Sequence, residues 1–84
     1  MINKTLITYG NGAAVTPHDS NDLSIPCDAL WVGGAGALKI DTAGGDTITI
    51  SAVPAGSLIP IRATRVYSTG TAATAIVAMY NPIT

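Results

Sequence analysis

The sequence has no phenylalanine and no glutamate, and only one cysteine, one histidine and one tryptophan among its 84 residues. A lone cysteine excludes an internal disulfide. No apolar stretch leading to a small-residue cleavage site follows Met1-Ile-Asn-Lys4, so no signal peptide is visible and synthesis in a reducing host cytoplasm is expected. One histidine and five scattered aspartates provide no convincing acid–base pair, which makes an enzyme the weakest functional class. Charge is scarce too. Only 11% of residues are charged, against about 25% in ordinary soluble domains, and the net charge is −1. Without a Lys/Arg cluster there is no footprint for nucleic acid. Residues 66–84 are uncharged but interrupted by Ser, Thr, Gly, Asn and Pro, short of the ~20 predominantly apolar residues a membrane helix needs.

Low charge carries a positive implication. A small monomer stays dispersed behind a charged surface. This chain, with a mean hydropathy of +0.42, lacks one, so part of its surface is expected to be covered by other subunits.

What is present points to strands. Leu, Ile and Val recur throughout, and at about 1.5–3 kcal/mol per large buried side chain they support one small core. Asp46-Thr-Ile-Thr-Ile-Ser51 alternates polar and apolar residues, the period of a half-buried strand. Val53-Pro-Ala-Gly56 reads as a type I turn with proline second and glycine fourth. Residues 57–67 and 71–80 then run as two further strands broken at Ser68-Thr-Gly70, which predicts a three-stranded β-meander. Turns about every ten residues predict an all-β fold, a small antiparallel β-barrel or sandwich (jelly-roll-like) without substantial helix. The expected organisation is an N-terminal arm over residues 1–12 and a single β domain over residues 13–84, the arm free to dock on a neighbour or to fray.

Several stretches invite chemical readings. Asp19, Asn21 and Asp22 offer oxygen ligands, but an EF-hand needs a sixth-position glycine and a closing glutamate, so a polar turn is the better account. Cys27, with His18 upstream, lacks a third group to make a nucleophilic site and reads as a small buried residue. Gly33-Gly-Ala-Gly36 superficially matches a phosphate loop, yet a strand follows instead of a helix, so a hairpin turn is expected. Pro60 cannot donate to a ladder, and the strand around it has apolar residues on both faces. Either a bulge lies there or one face meets a neighbour. Arg62 and Arg65 belong to a very small basic set. Each is expected to pair with Asp28, Asp41 or Asp46, within the chain or as an inter-subunit salt bridge. Gly33, Gly34, Gly36, Pro54, Gly56 and Gly70 are the candidate turn formers; Trp31, Ile59, Ile61, Val66 and Tyr80 are the candidates for core or interface packing.

An ordered series of segments carries a resemblance: Ala29-Leu-Trp-Val-Gly-Gly-Ala-Gly36, Ala43-Gly-Gly-Asp-Thr-Ile-Thr49, Val53-Pro-Ala-Gly56, Ile59-Pro-Ile-Arg62, Arg65-Val66 and Thr69-Gly-Thr-Ala-Ala-Thr74 leading to Ile76-Val-Ala78. In this order and spacing the chain resembles the small head-spike base proteins of gene transfer agents and related capsid decoration proteins of tailed bacteriophages, over roughly residues 13–80. The resemblance implies a virion structural protein on the capsid exterior, a homo-pentamer or homo-trimer that contacts the major capsid protein and carries a spike or fibre protein. It implies no catalytic residue, metal or cofactor, and neither nucleic acid nor membrane as partner. A trimeric cement protein at three-fold positions is the alternative within the virion. A carbohydrate-binding β module, built on the few aromatic side chains, is the alternative outside it.

Overall fold

The computed structural model describes residues 9–80, and their regular structure is strand throughout: β1 (Asn11–Ala14), β2 (Ala29–Gly34), β3 (Gly36–Thr42), β4 (Thr47–Val53), β5 (Ser57–Ile59), β6 (Ala63–Val66) and β7 (Thr74–Tyr80). Two antiparallel sheets result, one in the order β1-β7-β2-β5 and the other in the order β4-β3-β6. Leu30 and Val32 of β2 and Ile76 and Ala78 of β7 face Leu38 and Ile40 of β3 and Ala63 and Val66 of β6, with Cys27, Val53 and Ala73 closing the core. Their period-two spacing leaves Lys39, Asp41, Thr47 and Thr49 on the outside of the three-stranded sheet. The expected all-β sandwich is what forms.

The expected meander does not form. Among the described strands, β3 and β4 are the only consecutive pair that hydrogen-bond to each other. β5 pairs with β2, β6 with β3, and β7 with β1 and β2. The reason is Pro60. Residues 57–67 make two short strands in different sheets, because proline brings no N–H to a ladder, and the Ile61 N–H donates instead to the Ile59 carbonyl at 2.9 Å in a tight turn. Side-chain parity is lost across this break. β6 is then bulged at Thr64, since Thr42 stands opposite Ala63 while Asp41 stands opposite Arg65. Both Ala63 and Val66 therefore point into the core, although an unbroken strand would place them on opposite faces.

Two turn expectations also change. Gly33-Gly-Ala-Gly36 is not a hairpin but the corner at which the chain leaves one sheet for the other. Val53 lies within β4, and the turn after it has Ala55 and Gly56 at its centre, one residue later than expected, with Gly56 at φ 77°. The Asp41-Thr-Ala-Gly-Gly45 turn does join a hairpin: the Thr42 N–H donates to Asp46 O at 2.7 Å and the Gly45 N–H to Thr42 O at 3.0 Å. Of the predicted arm, residues 1–8 lie outside the described residues. Asn11 and Gly12 belong to β1, and the Gly10 N–H already donates to Tyr80 O at 3.1 Å.

Candidate functional site

The two outer faces of the sandwich differ in kind. On the three-stranded sheet, side chains pair across strands as polar groups. The Asp41 carboxylate accepts hydrogen bonds from the Thr47 hydroxyl and, at 2.9 Å, from the Tyr67 hydroxyl. Those bonds, the Thr47 one foremost, hold its pKa below the usual carboxylate range. The Lys39 ammonium lies 4.7 Å from the centre of the Tyr67 ring, and the Arg65 guanidinium 5.6 Å. Arg65 also reaches into the 18–22 loop. It donates from Nε to Asp22 Oδ1 at 2.8 Å and from its two terminal nitrogens to the carbonyls of Asp19 and Ser20.

That loop is fixed from the other side by Asp19. Its carboxylate accepts from the Thr69 hydroxyl at 2.6 Å, the Thr69 N–H at 2.7 Å and the Ser68 N–H at 3.0 Å. These bonds, the Thr69 hydroxyl first, lower its pKa. Of the oxygen donors that raised the possibility of calcium, Asp19 staples the loop onto the β6–β7 connection and Asp22 onto Arg65 of β6, and no cluster of metal-ligating side chains occurs among the described residues.

The outer face of the four-stranded sheet has no such groups. Register places Gly12 and Ala14 of β1, Met79 and Val77 of β7, Trp31 and Gly33 of β2, and Leu58 of β5 on this side, and no polar or charged residue occupies any of those positions. Ala14, Val77, Trp31 and Leu58 stand opposite one another in turn, an apolar row crossing all four strands. Trp31 is 38% exposed and Leu58 43%. Large apolar side chains adjoining in this way form an exposed apolar patch, a candidate surface for contact. Beside the row the face is flat. A Cβ at Gly33 would meet the Ala75 Cβ at 2.9 Å, and one at Gly56 would come to 4.0 Å from the edge of the Trp31 ring.

The other predicted residues fall elsewhere. Val66 is buried, and Ile59, Ile61 and Tyr80 pack partly buried against the core. Trp31 points outward. Gly34 and Gly36 act by close approach to the 72–74 backbone and side chains, Gly33 by close approach to Ala75, and Gly70 by its φ of 94° in the loop before β7. Pro54 leads into the β4–β5 turn, where its carbonyl accepts the Ser57 hydroxyl at 2.7 Å. The salt bridges expected within the chain or between subunits are met within the chain. Arg62 pairs with Asp28 at 3.4 Å, as one of its named options, whereas Arg65 takes Asp22 in place of Asp28, Asp41 or Asp46. The 18–22 loop lies across β6, which brings Asp22 there. Cys27 is fully buried, its Sγ 3.8 Å from Ile61 O, and burial pushes the thiol pKa up, away from the thiolate a nucleophile needs. Leu58, Val77, Met79 and Ala14 were not singled out by sequence. The available signal was a β7 with apolar residues on both faces.

No protein-family model matches the sequence, and no curated protein matches it. Among solved structures, a chain described as belonging to the capsid of a native gene transfer agent (GTA) particle, computed with C5 symmetry, is 36% identical and superposes with a TM-score of 0.78. The match covers 86% of this chain and 83% of that one.

Proposed function

The chain belongs to the family of that gene transfer agent capsid protein, and from this premise we propose that it decorates the outside of a tailed-phage-type head as a symmetric homo-oligomer, a spike base or knob at the vertices. It is a virion structural, capsid-associated protein, and in the proposed role it acts by assembly. One observation carries the reading: the uncharged row Ala14–Val77–Trp31–Leu58 crosses every strand of one sheet, while the charged residues hold the opposite sheet and its loops together. Identical subunits bury such patches against one another in closed rings.

Native mass spectrometry of the full chain, alone and mixed with undecorated heads, tests this. A pentamer that binds heads is the expected result. A trimer that binds them would replace the vertex role with that of a cement protein at three-fold positions. A monomer that ignores them would overturn both.

A further inference from the structure

Among the described residues two sheet edges lie open, β4, which is bulged near Ala52, and β1. On the three-stranded sheet, the β6 edge is covered by the preceding loop, through the His18 N–H to Val66 O at 2.9 Å and the Leu23 N–H to Thr64 O at 2.8 Å. β5 is three residues long and ends at Pro60. β1, Asn11-Gly-Ala-Ala14, contains neither charge nor proline, the usual guards of an edge. Val15 donates to Ile76 O and Asp28 to Met79 O, so strand alternation turns the N–H and C=O of Gly12 and Ala14 away from β7. Beside this edge runs a groove of about 240 Å³, lined by Ala14, Val15, Leu23 and Tyr80 and by the polar Thr16, Asp22 and Ser24.

We propose that residues 5–8 of a second copy, Thr5-Leu-Ile-Thr8, add to β1 as a further strand and seat Leu6 or Ile7 in this groove. The proposal rests on the homo-oligomer reading above. The segment has the β-branched composition of a strand, and adjacent Leu6 and Ile7 give one aliphatic side chain to each face. A segment folding back on its own β1 would need a two-residue hairpin at Tyr9-Gly10, whose favoured forms require positive φ. Gly10 does not have it, which excludes the form that needs it at both positions. Pairing with a neighbour meets no such obstacle, and passing one strand from each subunit to the next fits a closed ring.

The test is amide hydrogen exchange at Gly12 and Ala14 in the full chain, in parallel with native mass, compared with a variant lacking residues 2–8 and with Ala14→Pro. The expected result is an oligomer whose Gly12 and Ala14 amides exchange at least tenfold slower than in the truncated chain. A synthetic peptide of residues 2–9 added to the truncated chain should restore that protection, but should fail to protect Gly12 in Ala14→Pro. If the oligomer forms and the two amides exchange equally fast with and without residues 2–8, the strand exchange is wrong while the assembly reading stands. Protection that persists in a monomer on dilution places the segment on its own subunit and also overturns it. A monomer with fast amides at every concentration removes both.

Discussion

A Cβ at position 36 would lie 2.6 Å from the Ala72 carbonyl carbon and 2.7 Å from the Ala73 nitrogen, and Gly36 sits at φ 152°. Both obstacles are backbone, which cannot step aside without breaking the bonds from the Ala72 and Ala73 N–H groups to Ala37 O. Gly36→Ala should therefore cost about 1–3 kcal/mol in strained φ/ψ and about 1–3 kcal/mol in overpacking, read as a lower midpoint in denaturant. Gly34 differs. Its nearest obstacle is the Thr74 hydroxyl at 1.8 Å, a side-chain atom. Gly34→Ala should destabilise strongly alone and recover most of that loss when combined with Thr74→Ala, while Thr74→Ala should do nothing for Gly36→Ala. Equal behaviour of the two glycines would show that the corner is set by something other than these contacts.

Two carboxylates give the fold a pH dependence of known sign. Asp19 and Asp41 have folded pKa values below the ordinary one of about 3.9, because each carboxylate accepts hydrogen bonds that its protonated form holds poorly. Near and below that value the unfolded chain binds more protons than the folded one. The stabilisation is thus complete above the unfolded pKa and disappears as pH falls through the depressed folded values. Melting temperature should be level near neutrality and fall on titration from about pH 5 towards pH 2. In the Asp19→Asn/Asp41→Asn double variant the starting value should be lower and the fall shallower. An unchanged slope in that variant would remove these two groups as its source.

At the scale of elements, Arg65 and Arg62 look alike in sequence and differ in what they hold. Arg62 makes one 3.4 Å contact from a largely exposed side chain, whereas Arg65 binds a carboxylate and two carbonyls of one loop. Arg65→Ala should lower the melting temperature more than Arg62→Ala and speed amide exchange at Leu23, whose N–H bonds to β6. The β3–β4 pair has a similar local dependence. Leu38 pairs with Ile50 but Gly36 with Val53, so one extra residue bulges β4 and leaves Ala52 at φ 55°. Strands were legible in the sequence wherever alternation was clean, as in Thr47-Ile-Thr-Ile-Ser51, because period two survives without knowledge of partners. Pairing was not legible. It depends on which sheet each strand joins, and Pro60, the bulge at Thr64 and the glycine corner at residues 33–36 each redirect the chain by contacts with residues remote in sequence. The apolar face escaped sequence reading for the same reason. Ala14, Val77, Trp31 and Leu58 come from four separated segments and become one row only through register.

For the whole molecule, the charged groups pair within the subunit, and the proposed assembly would use the uncharged face. Leu38 is fully buried in the core, so Leu38→Ala should cost about 2–5 kcal/mol and lower the stability of monomer and assembly together. Leu58→Lys and Trp31→Ser alter an exposed face instead. Leu58→Lys should lower the melting temperature of the isolated subunit least and Trp31→Ser somewhat more, since most of the indole is covered within the subunit, and both should shift native mass from oligomer to monomer. Because the face carries no charge, assembly through it should respond to salt differently from an ionic interface. Sodium chloride raised from about 0.05 to 0.5 M, which shortens the screening length several-fold, should leave the oligomer fraction unchanged. Sulfate, which strengthens apolar burial, should increase it. In the proposed ring, binding to heads would multiply a modest contact by the number of subunits, so the face variants should lose head binding far more steeply than any one contact weakens. An oligomer that dissociates in sodium chloride would assign subunit contact to the charged sheet instead, and leave the Trp31–Leu58 face to the shell or to the protein carried above it.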